Sequence, residues 1–155
     1  MQIDVLDKNQ AVCHIPKVPT IAMRIHGSPN TFIDDKAYLP LVESGLYVAS
    51  FSYVFDDVRP KDCIGNEVYR RYYLLFGDDD AKRVIEDFIR TKERAEALMV
   101  HCFAGRGRSA GVASGLEDIF SLGNPSKPWE TESVNLHVYE ILLSVARRMK
   151  VGIFS

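Results

Sequence analysis

The chain has 155 residues, of which 46% are hydrophobic, and its formal net charge at pH 7 is −2. This length predicts a single domain, residues 1–155, with enough apolar side chains to fill one core. The near-neutral charge argues against a general nucleic-acid binder and against a protein that binds membrane surfaces. Because the sequence contains no apolar run of about 18 residues, it also argues against a transmembrane helix.

The cysteine content indicates a reducing environment. The three cysteines, Cys13, Cys63 and Cys102, do not form an even set of disulfide partners. The first residues carry neither the basic start nor the apolar stretch of a signal peptide. We therefore expect a cytoplasmic protein with free cysteines.

The first half of the chain contains three predicted strands. Two are short apolar runs at residues 11–15 and 21–25, and the third, residues 46–55, is rich in aromatic and β-branched side chains. A Gly-Ser-Pro-Asn turn over residues 27–30 ends the second strand. Residues 34–44 are expected to hold a short helix, which Pro40 weakens.

A longer helix is predicted after three aspartates, residues 78–80, which suit the first turn of a helix. Apolar residues follow at helical spacing between charged ones. The side chains expected to face the core are Val84, Ile85, Phe88 and Ile89.

The remaining elements are a strand and two helices. The strand covers residues 97–100, the next helix runs from Ser109 to about Leu122, and the last spans about residues 134–150. The side chains expected toward the core are Ala110, Ala113, Leu116, Phe120, Leu136, Leu142, Val145 and Met149. Alternating strands and helices predict an α/β fold, a sheet flanked by helices.

The most informative motif is His-Cys-Phe-Ala-Gly-Arg-Gly-Arg-Ser, residues 101–109. It joins the predicted strand 97–100 to the helix that follows. A strand–loop–helix arrangement of this kind binds phosphate through backbone N–H groups and the positive end of the helix dipole. Residues 102–108 are called the phosphate loop below. Gly105 and Gly107 permit backbone conformations that a side chain would hinder.

The side chains of this motif have the chemistry for attack on a phosphoryl group. Cys102 is the candidate nucleophile, since the field that binds phosphate also favours a thiolate. Arg108 can hold two phosphoryl oxygens through its planar guanidinium. Ser109 can donate a hydrogen bond to the Cys102 sulfur, and His101 can orient the loop from behind. The alternative for Cys102 is a buried structural cysteine, which the neighbouring arginine and glycines argue against.

His-Cys, five residues and Arg-Ser together resemble the signature of the cysteine-dependent protein tyrosine phosphatases, most closely their compact dual-specificity-like branch. The resemblance covers roughly residues 20–149 and is strongest at residues 98–113. It implies a mainly parallel central sheet flanked by helices, with the loop at the edge where α/β sheets bind ligands. It also implies a cysteinyl-phosphate intermediate. The residues that it places around the phosphate are Phe103, Ala104, Gly105, Arg106, Gly107 and Arg108.

The reaction also needs an acid that protonates the leaving oxygen. Such a group raises the reaction rate by about 10²–10⁴-fold. The family implies an aspartate on a loop after an upstream strand. We predict Asp57, which follows the predicted strand 46–55, with Asp56 as the alternative; both can instead be simple turn residues. The aspartates at residues 78–80 lie nearer Cys102 in sequence but already suit a helix cap.

The separation of Asp57 from Cys102 is longer than is typical of compact family members. Residues 61–73 lie between them and can form an insertion that shapes the pocket. Its Tyr69, Tyr72 and Tyr73 would serve either substrate recognition or packing.

These features predict a phosphomonoester hydrolase, foremost a protein tyrosine or dual-specificity phosphatase acting on a phosphorylated protein or a small phosphoester. The alternatives are a phosphatase of nucleotides, RNA 5′ ends or inositol phosphates, a rhodanese-type sulfur transferase, and a non-catalytic phosphate-binding module. Arg106 would meet a second substrate charge or face solvent. We expect no membrane partner, no cofactor and no metal, since the histidines are scattered: His14, His26, His101 and His137.

Overall fold

The computed structural model describes residues 1–31 and 33–155. Its strands are β1 (Gln2–Leu6), β2 (Thr20–His26), β3 (Tyr47–Val54) and β4 (Ala97–His101). Its α-helices are α1 (Lys8–Cys13), α2 (Ile33–Lys36), α3 (Pro60–Cys63), α4 (Glu67–Tyr72), α5 (Asp78–Thr91), α6 (Arg108–Phe120) and α7 (Leu136–Met149). Short 3-10 helices cover Lys92–Arg94 and Gly152–Phe154. Within this described part, no helix is long and apolar enough to cross a membrane.

The four strands form one parallel sheet in the order β1-β4-β2-β3. Alternate residues of a strand face opposite sides of a sheet. Ile21 and Ile25 of β2 therefore pack into the main core with α5, α6 and α7, whereas Ala22 of β2 and Met99 of β4 pack against Ala11 of α1 on the other face. The predicted α/β fold, a sheet flanked by helices, is confirmed.

The predicted strand at residues 11–15 is wrong, because this stretch lies in α1 and just after it. A capping box starts that helix: the Gln10 N–H donates to the Asp7 side chain, and the Asp7 N–H donates to the Gln10 side chain. The first strand is instead β1, which pairs with β4 at the sheet edge. Gln2 and Asp4 alternate with Ile3 and Val5, which is the pattern of a half-buried strand, and the sequence prediction missed it.

The other predicted elements have counterparts at similar positions. β2, β3 and β4 match the strands expected at 21–25, 46–55 and 97–100, and α5, α6 and α7 match the three long helices. The helix expected over residues 34–44 is limited to the four residues of α2. The N–H of Thr31 donates to the Ser28 oxygen at 3.1 Å, which closes the turn after β2.

Most residues expected toward the core are buried there. These are Val84, Ile85, Phe88, Ala110, Ala113, Leu116, Leu142 and Val145, with Phe120 and Met149 partly buried against them. The predictions that Ile89 and Leu136 face the core are wrong, since these residues are 37% and 59% exposed. In α5 the inward position goes to Asp87, which accepts a hydrogen bond from the Tyr53 hydroxyl at 3.0 Å. In α7 it goes to Val138, two residues after the start of the helix.

Candidate functional site

The phosphate loop begins where β4 ends, and α6 starts at its last residue, Arg108. The backbone of Gly105 has a φ of 68°, and a Cβ there would lie 2.6 Å from the carbonyl carbon of Leu6. Glycine is required at this position for both reasons. The Lys8 N–H also donates to the Phe103 oxygen at 3.1 Å. The connection from β1 to α1 therefore supports the loop from one side.

The Cys102 sulfur is buried and lies beside polar groups of the loop and of α6. The side chain is 2% exposed, the Gly105 N–H donates to its sulfur at 3.2 Å, and the Ser109 oxygen is 3.1 Å from the same atom. The N-terminus of α6 follows directly and adds the positive end of its dipole. The predicted contact between Ser109 and Cys102 is confirmed.

Arg108 is a buried cation with one unused donor. Its Nη1 donates to the Phe55 oxygen at 3.0 Å and its Nη2 donates to Asp35 Oδ1 at 2.7 Å. Its Nε is buried, and no hydrogen-bond partner lies within reach among the described residues. Burial alone would lower the pKa of Arg108, but the bond to Asp35 and the nearby Cys102 raise it above its ordinary value. A fixed guanidinium with a free N–H suits an oxyanion.

Asp35, on α2, is a site residue that the sequence prediction missed. It is 5% exposed and accepts hydrogen bonds from Arg108 and, at 2.8 Å, from the Tyr38 hydroxyl. Burial, together with Asp35, raises the pKa of Tyr38 far above its ordinary value. Tyr38 therefore stays protonated and donates, while Asp35 balances the charge of Arg108.

His101 supports the loop from the sheet side. It is fully buried, and the Arg24 Nε of β2 donates to His101 Nε2 at 2.9 Å. Burial, and then the charge of Arg24, lower the pKa of His101 to about 4. His101 is therefore neutral at pH 7 with its proton on Nδ1, which lies 3.4 Å from the Cys102 oxygen. This agrees with the expected role behind the loop and adds Arg24, which the sequence prediction missed.

The two candidate acids differ sharply in environment. Asp56 is 3% exposed, and its two oxygens accept hydrogen bonds from the N–H groups of Ser28, at 2.9 Å, and Leu74, at 2.8 Å. Both aspartates line the same cavity as Cys102, but Asp57 is exposed. A Cβ added at Gly107 would overlap the Asp57 carboxylate, so this carboxylate lies directly on the phosphate loop. Asp56 serves as a backbone brace, whereas Asp57 is placed to act on a bound group.

The aspartates at residues 78–80 lie outside this cavity. They occupy the first turn of α5, as expected of capping residues. The Asp80 carboxylate accepts a hydrogen bond from the Gly77 N–H at 2.9 Å, and Asp78 pairs with Arg148.

The cavity above the loop has a volume of about 460 Å³. Of the residues predicted to surround a phosphate, Phe103, Ala104, Arg106, Gly107 and Arg108 line it, together with Cys102. Gly105 does not line the cavity, but its N–H donates to the Cys102 sulfur. Arg106 is exposed at the edge.

The segment after Asp57 forms one wall of this cavity. Residues 61–73 contain α3 and α4, and Tyr69 and Tyr73 line the cavity with their ring centres 4.9 Å apart. Tyr72 is 48% exposed and is not part of the lining. The α3–α4 segment therefore shapes the pocket.

Within the described residues, no three His, Cys, Asp or Glu side chains come close enough to hold a metal ion. No family model, curated protein or solved structure matches this chain.

Proposed function

We propose that this protein is a phosphomonoester hydrolase that works through a cysteinyl-phosphate intermediate, with a fold and site of the protein tyrosine phosphatase type and closest to the dual-specificity-like branch. The observation that carries the proposal is the convergence of the Cys102 sulfur and the Arg108 guanidinium on one cavity at the N-terminus of α6. The unpaired, buried Nε–H of Arg108 supports an oxyanion as the missing partner.

In the first step, the Cys102 thiolate attacks phosphorus, a P–S bond forms, and the bond to the ester oxygen breaks. Arg108 and the N–H groups of the phosphate loop stabilise the equatorial oxygens as their charge changes. Asp57, protonated at this stage, gives its proton to the leaving oxygen. The position of its carboxylate against Gly107 of the phosphate loop supports this role.

In the second step, a water molecule attacks the phosphocysteine. The Asp57 carboxylate takes a proton from this water, the P–S bond breaks, and inorganic phosphate leaves. The Ser109 hydroxyl, 3.1 Å from the sulfur, donates to the departing thiolate and makes it a better leaving group. The cycle restores the thiolate and the protonated acid, so it consumes one water for each ester.

Cys102→Ser tests the proposal, with Cys63→Ser as the matched control, since Cys63 lies on α3 and outside the cavity lining. We expect the wild type and Cys63→Ser to hydrolyse p-nitrophenyl phosphate. Cys102→Ser should lose turnover while still binding phosphate or vanadate. Turnover that persists in Cys102→Ser would exclude the cysteine route, and hydrolysis by none of the three proteins would exclude a phosphatase.

A further inference from the structure

We propose that Asn135 is a positioning residue that orients Asp57 toward the phosphate loop. The proposal rests on the phosphatase function above and concerns the acid step alone. Asn135 precedes α7 and lies 78 positions from Asp57 in the sequence. It does not line the cavity, so it would act through Asp57 rather than on a substrate.

Asn135 joins three structural units through its side-chain amide and its backbone N–H. Its Nδ2 donates to Asp57 Oδ1 at 2.9 Å and to the Val58 oxygen at 3.3 Å. Its Oδ1 accepts from the Val138 N–H at 3.4 Å, which makes Asn135 the N-cap of α7. Its backbone N–H donates to the Gly107 oxygen in the phosphate loop at 3.2 Å. One residue therefore connects the acid, the phosphate loop and a long helix.

These contacts fix which way the amide faces. A flipped amide would place its oxygen against two acceptors, Asp57 Oδ1 and the Val58 oxygen, and its NH₂ group against the Val138 N–H. The orientation with Nδ2 toward Asp57 is the one that satisfies every partner. Asn135 is also fully buried, and its backbone oxygen lies close to Gly111 of α6, where a Cβ would come within 2.8 Å of it.

The two carboxylate oxygens of Asp57 therefore have different roles. Asn135 holds Oδ1 from the side of α7, while Oδ2 is the oxygen closest to the position of a Cβ on Gly107. Oδ2 is therefore left to carry the proton toward the loop. Because Asp57 is otherwise exposed, this hold removes much of the rotational freedom of the acid before a substrate arrives.

The test uses Asn135→Ser, in which a serine still caps α7 but cannot reach Asp57. Asn135→Asp is the second variant, since it keeps the shape and the cap but replaces the amide donor with a carboxylate. Asn124→Ser is the control: the Asn124 amide also bridges two acceptors, the Met1 oxygen and Glu117, but lies outside the cavity lining. Each protein is assayed with p-nitrophenyl phosphate, which has a good leaving group, and phenyl phosphate, which has a poor one.

We expect kcat for phenyl phosphate to fall about 10-fold or more in both Asn135 variants, whereas kcat for p-nitrophenyl phosphate falls less than about 3-fold, because only a poor leaving group needs the acid. KM should not change. In a double variant with Asp57→Asn, the Asn135 substitution should add no further loss. Equal losses on both substrates, a raised KM or additive losses would overturn the proposal and make Asn135 merely structural. A wild type inactive on both substrates would instead overturn the phosphatase function itself.

Discussion

The carboxylate of Asp57 lies against Gly107, so closely that no Cβ fits between them. Gly107 is the residue just before α6, and its oxygen accepts hydrogen bonds from the Gly111 and Asn135 N–H groups. The loop proposed to bind phosphate and the carboxylate proposed to protonate the leaving group are therefore in direct steric contact.

Gly107→Ala should displace the acid. The new methyl group would push the Asp57 carboxylate away, so hydrolysis of phenyl phosphate should slow by about 10–100-fold, and that of p-nitrophenyl phosphate by less. Gly45→Ala is the control, since a Cβ there meets nothing within 4 Å. Steady-state rates of the two variants give the answer, and a Gly107→Ala protein with wild-type rates on phenyl phosphate would disprove the steric role.

Asp35→Ala should destabilise the protein and make its stability depend on phosphate. The variant leaves the buried Arg108 without its charged partner, and loss of one member of a buried ion pair costs about 3–5 kcal/mol. A bound phosphate dianion would restore part of that charge balance. We therefore expect added phosphate to raise the Tm of Asp35→Ala more than that of the wild type.

Asp34→Ala serves as the control for this experiment. Asp34 is the neighbouring carboxylate, its side chain is 68% exposed, and it pairs only loosely with Lys8 at 3.8 Å. Its loss should change stability by less than about 1 kcal/mol. The same phosphate response in Asp35→Ala and in the wild type would count against an anion site at Arg108.

Ser109→Ala should slow the second step and leave the first largely intact. Without the hydroxyl 3.1 Å from the Cys102 sulfur, the thiolate becomes a poorer leaving group. Rapid mixing with p-nitrophenyl phosphate should then give a burst of p-nitrophenol followed by a slower steady rate. A slow reaction with no burst would show that Ser109 acts before the intermediate forms.

The protein should become less stable as the pH is lowered from about 6.5 to about 4, because of the buried His101. Burial, with Arg24 adding to it, lowers the pKa of His101 from 6.5 to about 4. Between these values the unfolded chain binds a proton that the folded protein excludes, so the stabilisation is complete above about pH 6.5 and is lost as the pH falls toward 4. The full effect is on the order of 3 kcal/mol.

Urea unfolding at several pH values measures this difference. His101→Gln should lose less stability than the wild type between pH 6.5 and 4, because glutamine does not titrate. Equal pH dependence in His101→Gln and the wild type would contradict the assignment of a neutral, buried His101.

The phosphate loop could be predicted from the sequence because its chemistry is contiguous. Cys102, Arg108 and Ser109 lie within eight positions, and the flanking strand and helix have clear apolar patterns. The partners of these residues could not be predicted in the same way. Asp35 is 73 positions from Arg108, and Arg24 is 77 positions from His101. Such pairs meet only because β2 and β4 are neighbours in the sheet or because α2 follows β2 at its C-terminal end.

The misplaced elements have identifiable physical causes. The composition of residues 11–15 does not separate a helix from a strand, but the capping box at Asp7 and Gln10, a local signal just upstream, starts helix α1 there. Ile89 has helical spacing with Ile85, but the buried position beside Phe88 goes to Asp87, which the Tyr53 hydroxyl makes acceptable in the interior.

The most direct test of the covalent mechanism is to identify the residue that carries the phosphoryl group. Ser109→Ala, quenched in acid during turnover of p-nitrophenyl phosphate, should yield one peptide with the mass of an added phosphoryl group, attached to Cys102. Fragmentation of this peptide locates the phosphoryl group, so the modified residue can be identified without testing the stability of the group in acid or alkali. A phosphoryl group on any other residue, or turnover with Cys102 unmodified in every quenched sample, would contradict the covalent mechanism.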